Sequence, residues 1–257
     1  MTASWQRRIE RANELARADE RAAALLTQYA AILTAQASCY EALVARGERL
    51  TGTLERDLDE VRPRAVELFD AIAPIAPPQA MRDLPADVPG METLLRTSWH
   101  QADMPFLARI VLQPYAEALA TLARRPDGRN LRAVAGRAAC PFCGGPPQVG
   151  VLRSDNTADG AGRALVCATC ATAWPVRRMM CVACSEEDER RLSYFQAAEF
   201  HYVRVDGCET CRQYIKTIDM TRFGRAVPAV DEVASAALDL WAEAHGYTKV
   251  TQNLIGL

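Results

Sequence analysis

The stretch Cys140-Pro141-Phe142-Cys143-Gly144, followed by Cys167-Ala168-Thr169-Cys170, Cys181-Val182-Ala183-Cys184 and Cys208-Glu209-Thr210-Cys211, decides the fold. Eight of the nine cysteines in the 257-residue chain stand in these four pairs, and Cys39 stands apart. Adding 41 to Cys140, Cys143, Cys167 and Cys170 gives Cys181, Cys184, Cys208 and Cys211. The unit Cys-x2-Cys, 23 residues, Cys-x2-Cys therefore occurs twice, with 10 residues between the copies. Tandem spacing of this kind points to two metal sites of four thiolates each. A thioredoxin-type dithiol would need one pair on a βαβ pattern, which is absent.

Each copy reads as two knuckles joined by a small sheet. Val149 to Arg153 and Arg163 to Val166 are strand candidates in the first copy, flanking the turn-rich Ser154 to Gly162. Arg191 to Phe195 and Tyr202 to Val205 fill the matching slots in the second, and Trp174 and Ile215 correspond in the strand after the second knuckle. Pro141 restricts the backbone of a tight turn. Gly144 permits a positive φ that aims N–H groups at the sulfurs. The other three knuckles lack that glycine, so the first copy shows the most regular signature. A 41-residue unit is too small to hold itself together by apolar burial, and roughly 10–16 kcal/mol of metal binding per site would supply the difference. With a divalent ion in each site the formal charge moves from −2 to −6. Arg153, Arg163, Arg177, Arg178, Arg191, Arg204 and Arg212 are near enough in sequence to offset part of it. Four thiolates accept zinc or iron.

Upstream, residues 1 to about 125 read as helices. The stripe Leu25, Tyr29, Ile32, Leu33, Gln36, Tyr40, Leu43 and Val44 repeats at spacings of three and four, with Gly47 as a stop. Similar patterns run over Leu54 to Ala73 and Met91 to Ala123. Ala73 to Gly90, with Pro74, Pro77, Pro78, Pro85 and Pro89, reads as a loop. Arg124 to Ala139 reads as a basic, solvated connector. Downstream, Val230, Val233, Ala234, Ala237, Leu240, Trp241 and Ala244 predict one closing helix, started by Asp231 and ended at Gly246. The predicted architecture is α+β. It comprises an α-helical domain (1–135), two tandem rubredoxin-like or zinc-ribbon-like modules (136–178 and 179–221), and a C-terminal helix with tail (222–257).

Composition narrows the function. A net charge of −2 argues against a broad grip on nucleic acid, as do 9 basic against 10 acidic residues over 139–220. The aromatic residues Tyr194, Phe195, Phe200, Tyr202 and Tyr214 are then ribbon core or protein contact rather than base-stacking platforms. No apolar run reaches the roughly 20 residues of a membrane helix. Met1 to Asn13 carries Arg7, Arg8, Glu10 and Arg11 with no apolar run following, so no secretory signal is expected. His100, His201 and His245 are scattered and unneeded as ligands, and Cys39 on its helical stripe is expected to be a buried small hydrophobe. Lys216 and Lys249 are the two lysines among 30 basic residues, which reads as compositional bias. There is no phosphate loop, nucleophile elbow or catalytic acid–base pair, so no enzyme activity is expected.

From Ala139 to Leu257 the chain resembles the FdhE-type formate dehydrogenase accessory proteins. The resemblance rests on Cys140-Pro-Phe-Cys-Gly, Cys167-Ala-Thr-Cys with Trp174, Cys181-Val-Ala-Cys, and Cys208-Glu-Thr-Cys-Arg-Gln-Tyr-Ile-Lys. It continues through Leu238-Asp-Leu, Gly246-Tyr247 and Asn253-Leu254. It implies a cytoplasmic assembly factor that binds the catalytic subunit of respiratory formate dehydrogenase, with the eight paired cysteines as ligands. It also implies two metal ions, iron preferred and zinc possible. A second reading is rubredoxin-like electron transfer, which a reversible Fe²⁺/Fe³⁺ couple would favour.

Overall fold

In a computed structural model of the chain, described over residues 2–76, 82, 84–85, 87–99, 101, 104–124, 138–154 and 161–256, two compact units divide near residue 130. The basic connector from Arg125 to Arg137, the tip of the first hairpin at 155–160, His100, Pro77 and Pro78 lie outside the described residues.

The first unit is helical: α1 (Ala3–Ala18), α2 (Glu20–Val44), α3 (Leu54–Ile72), α4 (Val88–Trp99) and α5 (Phe106–Thr121). Asp19 separates α1 from α2 and caps the latter, accepting a hydrogen bond from Arg21 N at 3.0 Å. The stripe on α2 packs inward, with Leu26, Tyr29, Ile32, Leu33, Tyr40 and Leu43 buried; Leu25 is only half-buried. Cys39 is buried on the same helix, and burial pushes its thiol up to about 12. The region predicted as one helical pattern over Met91 to Ala123 is two helices, because Pro105 caps α5 in an extended conformation. The predicted proline loop ends earlier than expected. Pro89 sits in the first turn of α4, where a missing N–H has no helical partner to lose. Asp57 is fully buried at the start of α3 and accepts from Thr51 N, Thr51 Oγ1, Gly52 N and Tyr115 Oη at 2.7–3.0 Å. Those four donors compensate the burial of its charge.

The second unit is built on one sheet: β1 (Pro147–Ser154), β2 (Ala161–Cys167), β3 (Ala173–Val176), β4 (Leu192–Phe195), β5 (Val203–Cys208), β6 (Gln213–Asp219) and β7 (Thr248–Lys249). Strand order is β3-β2-β1-β6-β5-β4, with β7 beside β6. Each sequence copy supplies one antiparallel three-stranded ribbon, and β1 and β6 join the two in parallel through Gly150↔Thr217, Val151↔Ile218 and Leu152↔Asp219. Gly150 makes the join possible, since a Cβ there would strike the Thr217 side chain. The periodicity of either ribbon gives no hint of this pairing.

The closing helix is interrupted. It forms α6 (Pro228–Ala234) and α7 (Ala236–Ala244), broken at Ser235, whose Oγ donates to the carbonyls of Asp231 (2.9 Å) and Glu232 (3.0 Å). Lys216 Nζ also takes the carbonyls of Glu232 and Ser235, which a continuous helix would use internally. Both helices pack on the sheet, α6 against β1 and β6, and α7 through Leu238 and Ala242 in one cluster with Val149, Val203, Val205, Tyr214 and Ile218. Beneath them lies a charge cluster that composition alone does not reveal. Lys216 meets Glu232 Oε1 at 3.1 Å and Asp239 Oδ2 at 2.5 Å, and Lys249 meets Asp239 Oδ1 at 3.0 Å and pairs with Glu232. Asn253 donates to Glu232 at 3.1 Å and Tyr214 to Asp239 at 2.8 Å. Both lysines of the chain therefore serve one buried network, a role that their scarcity among the basic residues does not reveal.

Candidate metal centres

The knuckles share one backbone device. The residue after the second cysteine of each pair has a left-handed φ: Gly144 (70°), Ala171 (55°), Ser185 (64°) and Arg212 (55°). Its N–H donates to the carbonyl of the first cysteine, at 2.8, 3.2, 2.9 and 2.9 Å respectively. The turn therefore does not require the glycine that marks the first knuckle. Three non-glycine residues adopt the same turn, each at a cost of roughly 1–2 kcal/mol. The signal was available in register: 144 and 185 differ by 41, as do 171 and 212.

These turns gather the eight predicted cysteines into two groups of four. Cys140, Cys143, Cys167 and Cys170 form one and Cys181, Cys184, Cys208 and Cys211 the other, with all sulfurs of a group within 4.8 Å of one another. Sulfur–sulfur separations are 3.7 Å for Cys140/Cys170, 3.4 Å for Cys143/Cys167, and 3.7 Å for both Cys181/Cys211 and Cys184/Cys208. A tetrahedron with metal–sulfur bonds of about 2.3 Å has edges of about 3.8 Å, so each group has the dimensions to hold one ion. Grouping follows the sequence copies; knuckles do not cross between them. Backbone N–H groups point at sulfur, as in Gly145 N to Cys143 (3.4 Å), Thr169 N to Cys167 (3.3 Å) and Ala183 N to Cys181 (3.4 Å). Such donors favour thiolates.

Within a group the thiols are driven in opposite directions. Hydrogen bonds from Cys143, Cys167 and Cys170 hold Cys140 far below the ordinary thiol range, while burial pushes Cys167 far above it. In the second group burial raises Cys181 to about 11 against the backbone donors. Burial and the neighbouring sulfurs both oppose ionisation, and a cation among the four sulfurs relieves both.

The surroundings differ. Beside the second group lies a cleft of about 260 Å³ lined by Cys181 and Cys208 and by Arg163, Arg178, Arg204 and Tyr194. Arg163 crosses between the copies: from β2 it donates to the carbonyls of Arg178 (3.3 Å) and Met180 (2.9 Å) and pairs with Asp206 on β5 (3.1 Å). Of the predicted counter-charges, Arg163, Arg178 and Arg204 are those that border this cleft. His201 and His245 are exposed, away from both groups. Phe195, Phe200 and Tyr202 pack on the core, whereas Tyr194 is exposed.

Fold and sites together define a double-ribbon protein with two four-cysteine centres. Residues 139–178 match the family model described as FdhE, central domain, and residues 179–255 that of FdhE, C-terminal domain. The stretch 139–255 thus belongs to the FdhE family. A protein FdhE homolog of Aquifex aeolicus is 39% identical over 117 residues, covering 46% of this chain and 41% of its own length. One from Pseudomonas putida is 29% identical over 158 residues, covering 59% and 48%. The chain thus spans less than half the length of these curated relatives. The crystal structure of the FdhE protein from Pseudomonas aeruginosa aligns with a TM-score of 0.65 at 24% identity, over 98% of this chain and 95% of that one, a likeness of fold. Among the described residues no helix is long and apolar enough to cross a membrane.

Proposed function

We propose that this chain is a metal-binding accessory protein that binds the catalytic subunit of respiratory formate dehydrogenase in the cytoplasm and is needed for its maturation, without chemistry of its own. The observation that carries the reading is the pair of four-cysteine groups inside a stretch that matches both FdhE domains. Cys140, Cys143, Cys167 and Cys170 hold one ion in this reading and Cys181, Cys184, Cys208 and Cys211 the other, with iron preferred over zinc. The domains divide as 1–135, 136–178, 179–221 and 222–257. Each ion adds the stability that a 41-residue ribbon lacks, and the helices of 1–135 offer a protein-binding platform rather than a reaction site. Nucleic acid and membrane insertion play no part.

The test has two arms. Metal analysis after anaerobic purification should give two ions per folded chain, one after Cys181→Ser and two after Cys39→Ser. Deleting the gene from a formate-respiring host that has no second copy should abolish formate dehydrogenase activity, with the catalytic subunit retained by the tagged wild-type protein. Normal activity in the deletion strain would overturn the assembly role. A reversible one-electron couple together with unimpaired maturation would favour electron transfer.

A further inference from the structure

The two cysteine groups repeat in backbone but not in access. In the first, all four cysteines are buried. Gly145 closes over it: a Cβ there would lie 3.0 Å from Cys167 Sγ and 2.6 Å from Thr169 Oγ1. The equivalents of Gly145 and Thr169 in the second copy are Glu186 and Thr210, and there Thr210 Oγ1 donates to the Glu186 carboxylate at 2.6 Å, an exposed pair in place of close packing. Cys184 is exposed and Cys211 is half-buried. The remaining two sulfurs, on Cys181 and Cys208, border the 260 Å³ cleft. Met179 and Tyr194, 44% and 71% exposed, stand among the residues lining it. The second group is therefore approachable from two sides and the first from neither.

Exchange of a thiolate-bound ion needs an incoming ligand to reach the ion, or a proton to reach a sulfur, and exposure governs both. The guanidinium groups of Arg163, Arg178 and Arg204 offset both the Asp206 carboxylate and the −2 charge of a divalent ion held by four thiolates, so the cleft does not repel an anionic ligand as the bare centre would. We propose that the second group is an exchange-competent metal site served by anionic chelating ligands entering through the arginine-lined cleft, while the first is a closed structural site. The exchange involves no redox step. The ion passes to the donor atoms of the incoming ligand, and the four released cysteine sulfurs take up protons from water. The inference rests on the reading of both groups as metal sites.

The experiment uses the full chain loaded with two zinc ions. EDTA is added, zinc release is followed with time, and samples are alkylated with iodoacetamide and mapped by mass spectrometry. Buried Cys39 is the internal control for unfolding. The expected result is biphasic release, one ion leaving at least tenfold faster, with Cys181, Cys184, Cys208 and Cys211 alkylated in the fast phase and the first four protected. Arg178→Gln should slow the fast phase at least threefold and leave the slow phase unchanged. Equal release rates, or earlier alkylation of the first group, would overturn the inference, and an unaltered fast phase in Arg178→Gln would overturn the cleft as the route. A chain that loads fewer than two ions, seen before EDTA is added, would overturn the two-site reading itself.

Discussion

Replacing Lys216 with methionine tests the physics of the second unit most directly. Its ammonium is fully buried between Glu232 and Asp239, at 3.1 and 2.5 Å, and also caps helix carbonyls at the break between α6 and α7. Methionine keeps most of the volume and removes the charge, leaving two carboxylates to share Lys249. Breaking a buried ion network by removing one partner costs about 3–5 kcal/mol, chiefly through the charge left behind. For a unit of this size each kcal/mol moves the midpoint by roughly 3–5 °C, so the loss should be on the order of 10–20 °C. Thermal unfolding should be followed by circular dichroism and tryptophan fluorescence at matched metal content. Trp174 and Trp241 report this unit, while Trp5 and Trp99 report the helical one. Adding Asp239→Asn should restore part of the loss by removing the surplus carboxylate. A Lys216→Met protein destabilised by less than about 1 kcal/mol would refute the claim that the network holds α6 and α7 to the sheet.

Three further outcomes are expected. Burial opposes ionisation of Glu232, but Lys216 and Lys249 outweigh it and bring its carboxyl down to about 2. The carboxyl titrates lower in the fold than in the unfolded chain, so its contribution is complete above roughly pH 4.5 and is lost as pH falls towards 2. The stability gap between wild type and Glu232→Gln should therefore be flat from pH 5 to 7 and shrink below pH 4 in acid-dependent urea unfolding. Ala171→Gly should leave the fold unchanged or stabilise it by up to about 1 kcal/mol, since relief of left-handed strain slightly exceeds the added freedom of the unfolded chain; a clear loss in chemical denaturation would contradict that balance. Gly145→Ala should cost about 1–3 kcal/mol by overpacking the first centre, lowering its zinc retention in competition titrations but not that of the second.

The eight cysteines and the ribbon strands were legible because metal ligation and short hairpins leave their marks within a few residues. The left-handed turn at Ala171, Ser185 and Arg212 was hidden because glycine is its usual signature, and here the repeat register carried the information instead. The parallel join of β1 to β6 was not legible: it depends on Gly150 admitting Thr217 from a strand 67 residues away. The break at Ser235 was missed for a similar reason, as the side chain that claims its carbonyls comes from β6. Lys216 and Lys249 were discounted because composition counts residues without locating them.

The way the two ribbons are joined also bears on solubility. In the first copy β1 is an outer strand, and in the second β6, the counterpart of β3, is an outer strand; the sheet pairs one kind of outer strand with the other. That leaves β3 and β4 at the rims, again one of each kind, so the rule that fuses the two halves of one molecule would equally add the next molecule to either end. Head-to-tail pairing that does not close on itself grows into a fibre. The protein counters this by shortening both rims to four residues, by placing Pro175 in β3, where it withholds a donor, and by setting Arg190 and Arg191 immediately before β4. A repeat that joins itself once carries, in those few residues, the means to stop at two.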